Sequence, residues 1–197
     1  MTGPHPADRV GDLVSLARLV SSCTACALST TRTQVVFGAG HAAATLMFVG
    51  EGPGAEEDRR GEPCGGRAGP LLSPLIAGIG LTRDDVYIAN VVKCRPPGTR
   101  NPAPGEIDAC APWLDRQLAL VRPTVGVTLG NCATRLLLGT REGITRLRGR
   151  EFPLSRAGID ATVIPTYHPA AVLRSGGPML AEVRADSVRV KRRLATR

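Results

Sequence analysis

The sequence is poor in lysine and has no long apolar run, and both shortages narrow its possible functions. Only Lys93 and Lys191 are lysines among the 25 basic residues. Neither is an obvious amine nucleophile, because Lys93 adjoins a cysteine and Lys191 is close to the tail. No stretch of about 18 uncharged apolar residues exists, which argues against a membrane span. The N-terminus lacks a basic segment followed by an apolar run, so no secretory signal is visible and a cytoplasmic protein is expected.

The chain carries a large excess of positive charge. Its 25 basic residues outnumber 17 acidic ones, giving a formal net charge of +8 and a pI near 9.8. This excess favours a polyanionic partner, with nucleic acid as the first candidate, although a solvated positive surface gives the same totals. At 197 residues with 43% hydrophobic content, the chain is expected to form a single domain spanning 1–197.

Four of the six cysteines have the spacing of a metal site. Cys23 and Cys26 form a C-x-x-C pair, and Cys94 and Cys110 follow far downstream. In a reducing compartment such cysteines act as ligands rather than as disulfides. Their spacing does not separate a Zn²⁺ ion from a [4Fe–4S] cluster, since four thiolates bind either one. Either centre would tie the N-terminal arm, residues 8–30, to the middle of the domain.

Apolar patterning predicts strands and helices in alternation. Short apolar runs predict four strands, at 44–49, 86–92, 124–129 and 161–166. Helices are predicted at 8–22, 70–79, 105–120, 132–138 and 179–194, and the C-terminal helical region, 178–197, is basic. This alternation indicates an α/β fold, a three-layer α/β/α sandwich around a central, mostly parallel four-stranded sheet. The arginine- and glycine-rich segment 140–157 is expected to be a surface excursion with a short hairpin.

Polar residues stand at the ends of three predicted strands. Glu51 follows the first strand, Asn90 lies at the end of the second, and His168 follows the fourth. In open α/β sheets, ligands bind beyond the carboxyl ends of the strands. We therefore expect these three side chains to meet at one edge of the sheet and to form the functional site.

Four short segments occur in a characteristic order: GEGPGAEED at 50–58, GRAG at 66–69, NVVKCRPP at 90–97 and HPAAV at 168–172. Together they resemble the iron–sulfur uracil-DNA glycosylases, usually called family 4, from about residue 23 to residue 174. The resemblance implies a uracil-DNA glycosylase-like fold and places the [4Fe–4S] ligands at Cys23, Cys26, Cys94 and Cys110. It implies a monofunctional enzyme that hydrolyses the N-glycosidic bond of deoxyuridine in DNA and so starts base-excision repair.

The resemblance assigns uracil recognition to the first two strand ends. The Asn90 amide would accept a hydrogen bond from uracil N3–H and donate one to O4, a pattern that cytosine reverses. Gly50, Gly52 and Gly54 would let the backbone approach the base, and Pro53 would stiffen the loop. The alternative of a phosphate-cradling loop lacks the P-loop pattern.

Three residues are implied in the chemistry of bond cleavage. His168 would donate to uracil O2 as negative charge develops on the departing base. Glu51 and Glu57 are the candidates for the carboxylate that stabilises the cationic sugar or orients the attacking water, with Glu51 ranked first. The alternative for Glu57 is a solvated first helical turn, where acidic residues complement the helix dipole.

The chain departs from the family at one pocket position. The family usually has Pro-Phe-Val-Gly where this chain has Pro63, Cys64, Gly65 and Gly66. Cys64 thus replaces the ring on which the flipped uracil stacks, an interaction worth roughly 1–3 kcal/mol, and is expected in the substrate pocket. The change motivates a rival interpretation, a glycosylase for hypoxanthine, xanthine or another damaged base. Cys132, the remaining cysteine, is expected to be a buried helix residue.

Arg95, Arg100 and Arg174 are the expected DNA contacts. The first two follow Cys94, and a bound cluster would direct them towards phosphates. Arg174 lies in a loop that, by the resemblance, enters the DNA and helps to hold the base extruded. The expected partner is single- or double-stranded DNA containing uracil, bound by a monomer. A non-catalytic iron–sulfur DNA-binding protein and a Zn-stabilised nucleotide-binding module remain as rival functions.

Overall fold

A six-stranded mixed sheet forms the centre of the protein, whose computed structural model describes residues 5–66 and 69–196. The strand order is β1–β3–β2–β4–β6–β5. The strands are β1 Ala39–Gly40, β2 Leu46–Gly50, β3 Tyr87–Asn90, β4 Val125–Leu129, β5 Phe152–Arg156 and β6 Ile159–Thr166. Arg67 and Ala68 of the GRAG segment and the ends of the predicted domain, 1–4 and 197, lie outside the described residues.

The four inner strands are parallel, and the two outer strands are antiparallel to their neighbours. The α/β fold class is confirmed, but the prediction of four strands is wrong because both edges carry one more. β1 is only two residues long, too short to produce an apolar run. β5 pairs with β6 through a tight turn in which Ala157 (φ 54°) and Gly158 (φ 73°) are both left-handed, as two-residue hairpins require. The hairpin expected near 140–157 is therefore part of the sheet.

Helices cover both faces of the sheet among the described residues, as the three-layer prediction requires. They are α1 Leu13–Ser21, α2 Ala55–Arg60, α3 Gly69–Gly78, α4 Pro104–Val121, α5 Asn131–Leu138, α6 Ile144–Leu147, α7 Pro169–Ser175 and α8 Gly177–Ala195. Alternate residues of β2 show the layering. Met47 and Val49 pack with α1, α4 and α5, whereas Leu46 and Phe48 pack with α3 and α8. Every residue of β2, β3 and β4 is buried, because each strand is covered on both faces.

The first and last helices differ in how well the sequence predicted them. The predicted helix 8–22 is split into a 3₁₀ turn, Pro6–Arg9, and α1, whose start is fixed by Asp12 accepting a hydrogen bond from Ser15 N at 2.8 Å. The basic C-terminal helix is α8, which runs back along β6. None of the helices in the described ranges is long and apolar enough to cross a bilayer.

Candidate active site and cysteine cavity

The predicted site residues meet at the carboxyl edge of the parallel strands. Gly50 and Asn90 end neighbouring strands and are paired in register. Gly130 follows β4, and its N–H donates to the carbonyl of Thr166 at the end of β6, which brings the β4 and β6 ends together. His168 comes two residues later. The expectation that three strand ends form one polar edge is therefore met by the backbone.

Asn90 is buried with its amide free. It is 5% exposed, and among the described residues its side chain makes no hydrogen bond. A Cβ at Gly50 would collide with Asn90 Oδ1, so glycine is required for the two strand ends to lie this close. Gly52 and Gly54 lie against Val92 and Glu57 in the same way. The unpaired amide atoms are not fully buried, so a ligand can reach and bind them, which suits a residue that reads a base.

His168 is held as a hydrogen-bond donor. Its Nδ1 accepts from Ala170 N at 3.1 Å, so in the neutral ring the proton is on Nε2. Burial lowers the pKa of His168 below its ordinary value, the positive charge of Arg174 lowers it further, and Glu57 opposes both. The ring also packs on Gly130, where a Cβ would lie 3.0 Å from the His168 Cβ. A neutral imidazole whose proton is on Nε2 can donate a hydrogen bond to an anion from that atom.

A buried carboxylate holds the segment that leads to His168, and no pattern in the sequence predicts it. Asp186 on α8 accepts from Thr166 Oγ1 at 2.6 Å and from Arg148 Nε and Nη2 at 3.1 and 2.8 Å. Arg148 in turn lies over the Tyr167 ring, 5.4 Å from its centre. Asp186 was missed because it lies among exposed residues of a basic helix, and only its contacts reveal that it is buried.

The two candidate glutamates have different surroundings. Glu57 is 8% exposed, and its Oε1 accepts from Gly66 N at 3.0 Å. The alternative of a solvated helical turn is therefore wrong for Glu57, whereas Glu56 is exposed and pairs with Arg59. Glu51 is half-buried and makes no hydrogen bond or ion pair in the part of the chain that the structure describes. Burial raises the pKa of Glu51 above its ordinary value of 4.5.

The two cysteines outside the quartet lie near these glutamates. Cys64 is 8% exposed, adopts a left-handed backbone (φ 52°) and packs with Leu72 in the apolar cluster under α3. Burial raises the pKa of its thiol to about 11, with Arg83 lowering it and Glu57 raising it. Cys132 lies on α5, is partly buried, and has a pKa raised to about 12 by burial and then by the charge of Glu51. Neither thiol is poised as a thiolate nucleophile.

The four remaining cysteines, Cys23, Cys26, Cys94 and Cys110, line one small cavity. They come from the end of α1, the loop after β3, and α4. Over the described residues no group of three or more His, Cys, Asp or Glu side chains is arranged to hold a single metal ion. A tetrahedral Zn²⁺ needs four sulfurs about 2.3 Å from one centre, and the described thiols are not arranged in that way.

The wall of this cavity suits an anionic occupant. Arg32 Nη1 donates to Cys94 Sγ, and the Lys93 backbone N–H donates to Cys110 Sγ, both at 3.3 Å. Trp113 Nε1 is buried and has no partner within the described ranges. Hydrogen-bond donors to sulfur, and the nearby charge of the buried Lys93, stabilise thiolates and the clusters that they bind. The donor set therefore fits a thiolate-bound cluster.

The three predicted DNA contacts are placed differently. Arg174 is exposed at the end of α7, beside Leu173, which is 48% exposed. Arg100 forms a two-point pair with Glu106, at 2.8 and 2.6 Å, and Glu106 also accepts from Ala103 N at the start of α4. Arg95 is partly buried, and its Nε has no partner among the described residues. The position of Arg174 suits a DNA contact best, whereas Arg100 already holds the start of a helix.

Known proteins resemble this chain over most of its length. The family model of the uracil DNA glycosylase superfamily matches residues 37–186. A type-4 uracil-DNA glycosylase of Archaeoglobus fulgidus is 45% identical over 165 residues, covering 82% of this chain and 83% of the relative. One from Thermotoga maritima is 47% identical over 157 residues, covering 79% and 80%. A type-5 uracil-DNA glycosylase of Thermus thermophilus is 31% identical over 177 residues, covering 80% and 79%.

Proposed function

The chain belongs to the uracil DNA glycosylase superfamily and is a uracil-DNA glycosylase, and we propose how its residues divide the reaction. The observation that carries the proposal is the carboxyl edge of the sheet. There a free amide, a fixed imidazole N–H and a half-buried carboxylate are brought together by neighbouring strand ends. These are the three groups that recognition, departure of the base and stabilisation of the sugar require.

Asn90 selects the base. Uracil is flipped out of the stack, and the Asn90 amide accepts from N3–H and donates to O4. Cytosine presents a lone pair at N3 and an amino group at C4, so both bonds would be lost and the amide left buried without partners. The close packing of Gly50 on Asn90 holds the amide plane at the site.

His168 and the carboxylates act on the glycosidic bond. As this bond breaks, its electron pair goes to uracil, and His168 Nε2–H donates to O2 of the uracil anion. Glu51, in its ionised form, stabilises the cationic sugar and accepts the proton of the attacking water, leaving an abasic site and free uracil. Glu57, whose Oε1 holds Gly66, shapes the loop beside the site.

Cys23, Cys26, Cys94 and Cys110 would hold a [4Fe–4S] cluster. When bound, such a cluster supplies four iron–thiolate bonds that fasten the N-terminal arm to β3 and α4. No step of the hydrolysis passes through it. Arg174 and Leu173, which are exposed at the end of α7, contact the DNA and support the extruded base. The absence of disulfides among the six cysteines agrees with a reducing, cytoplasmic location, and we expect a monomer.

The test is excision of the base from labelled oligonucleotides by anaerobically purified protein. Substrates carry uracil opposite guanine, uracil opposite adenine, single-stranded uracil and hypoxanthine. We expect cleavage at uracil in every context, and its loss in Asn90→Ala and His168→Ala with the iron content retained. Full activity in both variants would overturn the assignment of the site. Cleavage at hypoxanthine alone would favour the rival with shifted base specificity, which the buried Cys64 in place of an aromatic ring motivates.

A further inference from the structure

Lys93 is a buried lysine that joins the two parts of the site. It is 1% exposed and lies between the end of β3 and α4. Its Nζ donates to the backbone carbonyl of Asn90 at 2.7 Å and to Gln117 Oε1 at 2.5 Å. Its backbone N–H donates to Cys110 Sγ, and the next residue is Cys94. One residue therefore contacts both the base-reading strand end and the cysteine cavity.

The position is an expensive one for a lysine. Burying an ammonium group costs several kcal/mol unless it is paired, and within the described residues the hydrogen-bond acceptors of Nζ are a carbonyl and an amide oxygen, not a carboxylate. The only other lysine of the chain, Lys191, is exposed. A leucine or methionine would fill the same space without this cost, so the stability of the core does not account for Lys93.

The contacts of Lys93 hold a fixed direction. Gln117 is itself held, because its Nε2 donates to Phe37 O at 2.9 Å and to Tyr87 Oη at 3.0 Å. Lys93 Nζ thus bonds to Gln117 on α4 at one side and to the backbone carbonyl of Asn90 at the other. The Asn90 side chain has no hydrogen bond of its own among the described residues. Its orientation therefore depends on the packing of Gly50 against it and on how its backbone is held.

We propose that Lys93 is a positioning residue for Asn90, which sets the orientation of the uracil-reading amide from the wall of the cysteine cavity. The inference rests on the role proposed above for Asn90. It makes the geometry of the base pocket depend on the segment that carries Cys94 and on the position of α4, which carries Cys110. A change at the cavity is then felt as a change in uracil recognition, without any contact between the cavity and the base.

The test compares Lys93→Met with Lys191→Met, the matched change at the exposed lysine. Removing a hydrogen bond from a charged group should lower kcat/KM for uracil excision roughly ten- to hundredfold. The inhibition constant for free uracil should rise by a similar factor, whereas Lys191→Met should change neither value. Iron content and melting temperature are measured beside them. A merely structural role would lower the melting temperature and leave the inhibition constant of the folded protein unchanged, which would overturn the proposal.

Combination with Asn90→Ala separates the two proposals. If Lys93 acts through Asn90, adding Lys93→Met to Asn90→Ala should lower kcat/KM by less than about a further threefold. If the decrease in kcat/KM of the double variant equals the product of the two single decreases, the inference is overturned. If Asn90→Ala alone excises uracil normally, it is the role of Asn90 that fails. If Asn90→Ala is inactive while Lys93→Met is normal, only the positioning role of Lys93 fails.

A second variant covers the case in which Lys93→Met is isolated without iron. Gln117→Met removes one acceptor of Nζ, and no hydrogen bond joins Gln117 to a cysteine sulfur in the described chain. A raised inhibition constant for uracil in this variant, with iron retained, supports the proposal. An unchanged constant overturns it.

Discussion

The catalytic edge and the cysteine cavity share the short stretch of chain from Asn90 to Cys94, but their charged groups are of opposite sign. At the edge, Glu51 follows β2 and the charge of Glu57 acts on His168. At the cavity, Arg32 donates to Cys94 Sγ and the charge of Lys93 acts on Cys110. Carboxylates suit a sugar that becomes positive, and cations suit thiolates that are negative. Each region is thus complementary to the charge that its chemistry brings.

The two regions also differ in how their polar atoms are satisfied. At the edge, the side chains of Asn90 and Glu51 make no hydrogen bonds among the described residues, so they are available to a ligand. At the cavity, Arg32 donates to sulfur and also to the carbonyls of Cys23 and Ser21, at 2.6 and 3.3 Å. The edge is prepared for a molecule that arrives and leaves, whereas the cavity is prepared for a permanent occupant. Changes at the edge should therefore act mainly on rate, and changes at the cavity should act mainly on stability, apart from the effect that Lys93 transmits to Asn90.

The largest effect is expected from His168→Ala. Removing one donor to a developing anion costs roughly 10²–10³-fold in rate, so excision should fall by that factor while the iron content stays unchanged. His41→Ala is the matched control, since His41 Nδ1 also accepts from the residue two positions on, Ala43 N, at 3.2 Å. An equal loss in both variants would show that the effect is one of folding. Single-turnover excision under saturating enzyme measures it.

Glu51→Gln should lower excision by about a hundredfold, a typical contribution of a catalytic carboxylate. Because burial raises the pKa of Glu51 above 4.5, the carboxyl becomes protonated as pH falls through a higher value than an ordinary glutamate requires. The rate should therefore fall on the acid side, with its midpoint above 4.5, and Glu51→Gln should lack this limb. Persistence of the same limb in Glu51→Gln would assign it to another group. A pH profile of kcat/KM for both proteins decides.

Cys110→Ser should act on stability rather than chemistry. We expect loss of iron and a lower melting temperature, because the arm loses one of its attachments. Excision well below the melting temperature should fall only several-fold, because the cavity acts on the base pocket only through Lys93. Cys132→Ser, a partly buried cysteine outside the cavity, should keep its iron. Loss of iron from both variants, or from neither, would contradict the assignment of ligands, and iron analysis with absorbance spectra provides the measurement.

The smallest effects are expected at the DNA-facing arginines. Arg174→Gln should weaken DNA binding and reduce the slope of log K against log salt by about one. Arg100→Gln should leave this slope unchanged, because Arg100 is already paired with Glu106. A similar decrease in both would show that Arg100 also reaches a phosphate. Titrations of uracil-free duplex at several salt concentrations measure the slope.

The sequence predicted the parts of the fold that follow a short repeating pattern. The inner strands appear as apolar runs, and the polar residues after them predicted the edge at which Asn90 and His168 meet. The contacts of Lys93 and Asp186 could not be predicted in this way. Both are charged residues in or beside segments where charge normally indicates exposure, and both are buried because distant elements supply their partners. The strand β1 was missed because its two residues are too few to show an apolar run or an alternating pattern.

The cysteine cavity can be completed only late in the synthesis of the chain, because its four cysteines are far apart in sequence. Cys23 and Cys26 leave the ribosome early, whereas α4, which carries Cys110, is made after two of the four inner strands, β2 and β3, and before the other two. At roughly 5–20 residues per second, the N-terminal arm spends several seconds with its thiols exposed before α4 and Cys110 are made. Any factor that delivers iron and sulfide must therefore act on a nearly half-made chain or wait for α4. A nascent chain that stalls between Cys94 and Cys110 would carry three of the four cavity cysteines without the helix that supplies the fourth.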